Sequence, residues 1–357
     1  MMNIFKSIAF VVLLLSLTNE TVASLHEIQK SCLKSNNLCY QTASQLLSVY
    51  QENIRNEIHR KTKGYRLPSA PFALLHGYRT RHSVLLIHGL NDSAYFLKDV
   101  AQVLFEQGIN VVTILLPGHG RTLRDIEEVS YQHWLSHMRW GLEITAMVGE
   151  NLSVGGFSTG GLLATVAALE SNTIKNLFLF APALDFSGPA NLGPRLALLT
   201  CLEAAKKITY KSDIPENPVK YALRSANALC QLDLLLRDTY LRLGYDFLKT
   251  TTKDFMTHLA ARIKIPVFTV LTSDDRWINP ESIFHFIKSL RGSQKTIMFS
   301  ADPKPYRQYE NLAQIILSNP TPHSSILLKS DGYIGRINDN FNYVEIGLRL
   351  FLEENFL

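Results

Sequence analysis

Gly156-Phe157-Ser158-Thr159-Gly160 is the stretch that decides how this chain is read. An apolar run, Leu152 to Gly155, leads into it, and a helix-like run, Gly161 to Glu170, leads out. That order describes a strand, a sharp turn and a helix. Ser158 sits at the tip, where small neighbours let strand and helix pass closely. So short a pattern recurs by chance, and the organisation around it has to carry the reading. Ser158 is the candidate nucleophile.

Working outward, buried strands alternate with amphipathic helices from Ser83 onward. Ser83 to His88 reads as a strand, Ala94 to Gln107 as a helix, and Ile109 to Leu115 as a second strand. Tyr131 to Glu150 is a long helix, and Lys175 to Ala181 is the strand after the Ser158 segment. Near-continuous apolar runs separated by helices indicate an α/β fold, a mostly parallel central sheet flanked by helices. The alternation stops between Asp185 and about Arg262, where helical patterns are broken by Pro189, Pro194, Pro215 and Pro218 and no strand is clear. It resumes at Ile265 to Leu271, followed by a helix from Pro280 to Leu290. Lys295 to Phe299 and Leu312 to Leu317 compete for the last core strand, and Tyr343 to Glu353 is the final helix. Ala301 to Glu310 reads as a loop without chemical assignment. The resulting layout is a signal peptide at 1–23, a helical extension and linker at 24–80, core at 81–184, a helical cap at 185–262 and core again at 263–357.

A serine hydroxyl needs a base, and the base needs a group that fixes its tautomer and stabilises its charged form. His323 lies past both candidate last strands and before the final helix, on a loop returning over the C-terminal edge of the sheet. His285 sits between Phe284 and Phe286 inside a helix, and His258 precedes the acid, so structural roles suit both. For the acid, Asp274 and Asp275 follow the strand Ile265 to Leu271, and neighbouring side chains diverge. Asp275, with Ile278 and Pro280 after it, is the favoured orienter, while Asp274 shapes the turn or caps; Asp302 is a distant third. Two backbone amides must meet the oxyanion of acyl transfer. The amide of Thr159, at a helix N-terminus, is one, and that of Leu90, in His88-Gly89-Leu90, is the other. His88 and His119 read as loop-holding residues.

Those motifs together resemble the α/β-hydrolase superfamily, in the branch of bacterial carboxylesterases, monoacylglycerol lipases and lysophospholipases. The resemblance rests on His88-Gly89-Leu90, on Pro117-Gly118-His119-Gly120, on Trp134, on Gly156 to Gly160 and on Asp275 to Pro280. It runs from about Ser83 to the C-terminus, apart from much of the cap. It implies the α/β-hydrolase fold and cofactor-free hydrolysis of carboxylic esters through an acyl-enzyme. With an apolar cap, the expected substrates are acyl lipids such as monoacylglycerol or lysophospholipid. Amide, peptide or C–C hydrolysis and acyl transfer use the same three residues and stay open, as does a non-catalytic binding role on this fold. A haloalkane dehalogenase or epoxide hydrolase would place a carboxylate where Ser158 stands.

Bulk properties set outer bounds. In 357 residues, 46% hydrophobic content supports a sizeable core and excludes wholesale disorder. The net charge of +5 is spread out, densest at Lys61, Lys63, Arg66, Arg79 and Arg81. This is too weak and too poor in interleaved aromatics for a nucleic-acid surface. It reads as a solvated face, with transient attraction to an anionic membrane surface as the alternative. Lys6, the apolar run Ile8 to Leu17 and Thr21-Val22-Ala23 form a secretory signal pattern, with an uncleaved anchor as the alternative. The expected location is periplasmic or secreted. In such a compartment Cys32 with Cys39, and Cys201 with Cys230, are the simplest disulfide pairs, buried thiols being the other reading. No metal site is expected from four cysteines without clustered histidines.

Overall fold

The computed structural model describes residues 36–186, 201, 208–211 and 216–356. Its centre is an eight-stranded sheet built from β1 (Ala73–Leu74), β2 (Thr80–Ile87), β3 (Asn110–Ile114), β4 (Gly149–Phe157), β5 (Ile174–Phe180), β8 (Val267–Thr272), β9 (Gln294–Ser300) and β10 (Gln314–Leu317). The strand order is β1-β3-β2-β4-β5-β8-β9-β10, and every pairing is parallel except β1 with β3. The chain leaves β2 toward β3 and then returns to place β4 on the other side of β2. Loops diverge at the C-terminal ends of β2 and β4, the place where open parallel sheets form their ligand crevice.

Alternation along the strands sends side chains into two separate cores, because successive strand residues face opposite sides. Val84, Leu86, Val111, Phe178, Phe268 and Val270 pack beneath α2 (Lys98–Glu106) and α9 (Phe341–Asn355). Leu85, Ile87, Val112, Val154, Leu177 and Leu179 face α4 (Tyr131–Val148) and α5 (Thr159–Glu170). A five-residue helix, α3 (Leu123–Glu127), precedes α4, and at its start the amide and hydroxyl of Thr122 both donate to the Asp125 carboxylate.

The expected N-terminal extension contains a 27-residue helix, α1 (Asn36–Thr62). Cys39, Ala43, Leu46, Tyr50, Ile54 and Ile58 recur every three or four residues and are all buried. The Tyr50 hydroxyl accepts the amide of Leu115 at 3.0 Å, lies 3.0 Å from Nε2 of His137 and carries its ring against Trp140. Burial holds Tyr50 well above the ordinary phenol range.

The segment between β5 and β8 is not purely helical, which corrects the sequence expectation. It contains an antiparallel pair, β6 (Thr209–Lys211) with β7 (Leu223–Ser225), ahead of α6 (Ala226–Arg242) and α7 (Thr252–Arg262). Three-residue strands are too short to leave a two-residue period in the sequence. The side chains of Ser225 and Thr251 cap the two helices, and Tyr240 stacks on Phe255 at 3.5 Å. Cys201 is bonded to Cys230, with Cα atoms 5.1 Å apart. Cys39 is buried, while its expected partner Cys32 and the signal pattern at 1–23 lie outside the described residues.

Both competitors for the last strand are strands, with β10 at the edge beside β9. Ala301 to Glu310 contains a 3-10 helix, Lys304–Tyr309, whose Tyr309 ring lies parallel to Phe284 of α8 (Pro280–Ser289) at 4.1 Å. Among the described residues, no helix is long and apolar enough to cross a membrane.

Candidate active site

Ser158 closes β4 and opens α5 with φ 54° and ψ −115°. A non-glycine residue pays strain in that region and holds it only where its surroundings enforce it. Here they do. The Ser158 amide donates to the Phe180 carbonyl at 2.9 Å, and its own carbonyl accepts the amides of Gly161, Leu162 and Ala183. A Cβ on Gly156 would stand 2.1 Å from the Gly160 backbone, and one on Gly160 would stand 2.0 Å from the Ile87 carbonyl oxygen. The two glycines therefore let the helix start against the strand, with Ser158 at the crossing.

His323 begins a 3-10 turn, His323–Ser325, after β10. Its Nδ1 lies 2.5 Å from Oδ2 of Asp275, on the loop after β8. The other carboxylate oxygen, Oδ1, accepts the amides of Trp277 at 2.8 Å and Ile278 at 2.9 Å. Those bonds fix the carboxylate plane, so Asp275 is held before it holds the imidazole. The His323 ring packs against Phe157, the residue before Ser158, with centroids 4.7 Å apart. Ser158, Asp275 and His323 are each no more than 9% exposed. A water-poor surrounding strengthens the attraction between the carboxylate and any positive charge that develops on the ring.

Asp274 faces elsewhere. Its Oδ2 accepts the Thr321 amide at 3.2 Å, while the Thr272 hydroxyl donates to the Thr321 carbonyl at 2.8 Å. Two side chains from the end of β8 thus clamp the peptide groups of the histidine loop. Asp185, on the loop after β5, accepts the Ser282 hydroxyl at 2.5 Å, and burial raises its carboxyl above the usual range.

Gly89 and Leu90 follow β2. A Cβ on Gly89 would lie 3.1 Å from the Cβ of Ser158, so this loop runs directly beside the serine. Thr159 is the first residue of α5. Among the described residues, the amides of Leu90 and Thr159 donate to no backbone carbonyl.

The remaining candidates have structural partners. His88 is fully buried, with Nδ1 at the Gly89 carbonyl and Nε2 accepting the Leu116 amide. Burial, helped by nearby His119, holds it well below the ordinary imidazole range. His119 has Nδ1 3.1 Å from the Pro117 carbonyl, which also accepts Nε1–H of Trp134. Burial pushes His119 down to about 4, and burial with nearby Arg121 pushes His137 down to about 3. His258 bonds back to the Asp254 carbonyl on α7, and Asp302 accepts the Lys304 amide. His285 stays on α8 with its carbonyl accepting the Ser289 hydroxyl. Among the described residues, no group of histidine, cysteine or carboxylate side chains is arranged to hold a metal ion.

Sequence reasoning missed Asp92 and Lys220. Lys220, from the segment between β5 and β8, places Nζ 2.5 Å from Oδ1 of Asp92 and 2.9 Å from the hydroxyl of Ser324. An isolated lysine in a proline-broken stretch carries no signal of such a contact.

Residues 78–302 match the family described as serine aminopeptidase, S33 (Hydrolase_4). That range includes Ser158 and Asp275 and ends before His323. A thermostable monoacylglycerol lipase of Bacillus sp. (strain H-257) is 26% identical over 102 residues, 29% of this chain and 41% of that lipase. The match therefore spans less than half of that relative. Among solved structures, one reported for the metagenome-derived lipolytic enzymes LipS and LipT has a TM-score of 0.56 at 16% identity, covering 79% of this chain and 97% of the other. A soluble variant of the monoglyceride lipase of Saccharomyces cerevisiae has a TM-score of 0.56 at 15% identity, covering 80% and 91%. At such identities the likeness is one of fold.

Proposed function

The chain belongs to the Hydrolase_4 family, described as serine aminopeptidase, S33, and from that membership together with its partial likeness to a monoacylglycerol lipase we propose that it is a serine hydrolase acting on carboxylic esters. The substrates we propose are acyl lipids such as monoacylglycerol or lysophospholipid. The observation that carries the reading is the 2.5 Å contact between Asp275 and His323, on a ring that packs against the residue preceding a strained, buried Ser158.

In the proposed reaction the Ser158 hydroxyl oxygen attacks the ester carbonyl carbon while Nε2 of His323 takes its proton. The tetrahedral oxyanion is met by the amides of Leu90 and Thr159, each donor being worth roughly 3 kcal/mol. The C–O bond then breaks, and His323 returns the proton to the departing alcohol. In the second half water attacks the acyl-enzyme, giving its proton to His323, and the carboxylic acid leaves with the Ser158 hydroxyl restored. Asp275 holds the imidazole with Nδ1 protonated and stabilises the charged ring. Residues 185–262 act as a cap, and its exposed Ile208, Leu223, Leu241 and Leu248 suit an apolar substrate or a transient lipid contact. Export fits the N-terminal pattern and the Cys201–Cys230 bond.

Replacing Ser158 with alanine should abolish turnover of nitrophenyl acyl esters and labelling by a fluorophosphonate probe, with the melting temperature preserved. Retained turnover would remove the mechanism. The family's description favours a second reading, peptide hydrolysis by the same residues. Rates on a monoacylglycerol and lysophospholipid series against aminoacyl amides separate the two.

A further inference from the structure

Lys220 is deeply buried for a lysine. Its side chain is 7% exposed and that of its partner Asp92 is 2% exposed. Burying a charge is costly, and a buried pair is often no more stabilising than apolar residues of the same size. This pair joins three separate pieces of chain. Asp92 belongs to the loop after β2, two residues beyond Leu90. Ser324, the other partner of Nζ, is next to His323. The point where a Gly89 Cβ would stand lies 2.7 Å from Asp92 Oδ2 and 3.1 Å from the Ser158 Cβ, so the carboxylate and the reacting serine both flank Gly89.

Neighbouring contacts seat the lysine. The Ser93 hydroxyl donates to the Val219 carbonyl at 2.9 Å, and the Tyr221 amide donates to the Asn91 carbonyl at 3.2 Å. Val219 packs with Phe96 and Leu328 in a small apolar cluster, and Nζ stands 5.3 Å from the Phe96 ring centroid.

We infer that Lys220 is a positioning residue: its ammonium ties the loop bearing Leu90 to the loop bearing His323, so the segment between β5 and β8 completes the active site. The inference rests on the hydrolase reading above. An error of about 1 Å in such an arrangement can cost on the order of 100-fold in rate.

The test compares wild type, Lys220→Met, Lys220→Arg and the double variant Asp92→Asn/Lys220→Met. Readouts are kcat and KM on a short nitrophenyl ester, fluorophosphonate labelling of Ser158 and melting temperature. Lys220→Met should lower kcat and labelling rate roughly 10- to 100-fold with KM nearly unchanged, and Lys220→Arg should recover most of the loss. In the double variant no carboxylate is stranded, so the melting temperature should return toward wild type while kcat stays low. Wild-type kcat in Lys220→Met, or kcat recovering together with melting temperature in the double variant, overturns the inference alone. Where Lys220→Met does not fold, the double variant decides by the same criterion. A wild-type protein that takes no label at Ser158 overturns the hydrolase reading and the inference with it.

Discussion

Asp274 and Asp275 are consecutive, yet their carboxylates grip different ends of one loop. Asp275 meets the His323 ring at 2.5 Å, and Asp274 accepts the Thr321 amide at 3.2 Å. Replacing Asp275 with asparagine should remove the charge behind the imidazole and favour the wrong tautomer, lowering kcat on the order of 10³- to 10⁴-fold. Asparagine at 274 keeps an acceptor for Thr321 and should cost less than about tenfold, the scale of one neutral hydrogen bond. Steady-state kinetics on a nitrophenyl ester measures both, and equal losses would contradict the assignment of Asp275 as orienter.

Gly89→Ala tests the loop beside the serine. The new Cβ would stand 2.7 Å from Asp92 Oδ2 and 3.1 Å from side-chain atoms of Phe157 and Ser158, so either the buried Asp92 carboxylate, held by Lys220, or the loop itself must shift. Displacing the Leu90 amide should lower kcat roughly 100-fold or more with a folded protein by circular dichroism. Unchanged kcat would place the second oxyanion donor elsewhere.

Acid should destabilise the fold through its buried histidines, His88, His119 and His137. His119 and His137 are depressed from 6.5 to about 4 and about 3 respectively, mainly by burial. The unfolded chain therefore binds protons that the folded chain refuses. Their contribution is fully present above about pH 6.5 and is lost as pH falls toward the depressed values, by up to about 1.4 kcal/mol per pH unit for each histidine. Urea unfolding at pH 7 and pH 5 should show the loss, and His137→Gln should flatten the slope. A slope unchanged by that variant would assign the acid sensitivity to other groups.

Reduction should weaken the segment between β5 and β8 before the sheet. Cys201 and Cys230 are 29 residues apart, a loop for which chain-entropy estimates give roughly 3–4 kcal/mol. The double serine variant should show faster proteolysis within this segment while α9 and the central strands keep their amide protection. Uniform loss of protection would mean that the segment and sheet unfold as one unit.

Much of this architecture is legible in the sequence because its signals are local. Short apolar runs such as Val84 to Ile87, bounded by polar residues, suit strands buried on both faces, and glycines at 156 and 160 mark the close crossing at Ser158. His323 stands out by its place after the last strand. The contact of Lys220 with Asp92 bridges 128 positions and obeys no period, so nothing nearby announces it. The β6–β7 pair escapes for a different reason, since three residues per strand cannot establish alternation. Asp274 is visible as a carboxylate, but its hold on Thr321 depends on how two distant loops come to rest.

Helix α1 lies outside the segment that matches the family, which starts at residue 78, and Tyr50 on it is nonetheless wedged among Leu115, His137 and Trp140. A shortened polypeptide starting at Tyr78 would strip an oily strip along α4 of its cover and leave the Leu115 amide without its phenolic acceptor. Such a fragment would clump in solution, so recombinant production has to include α1 from Asn36 onward.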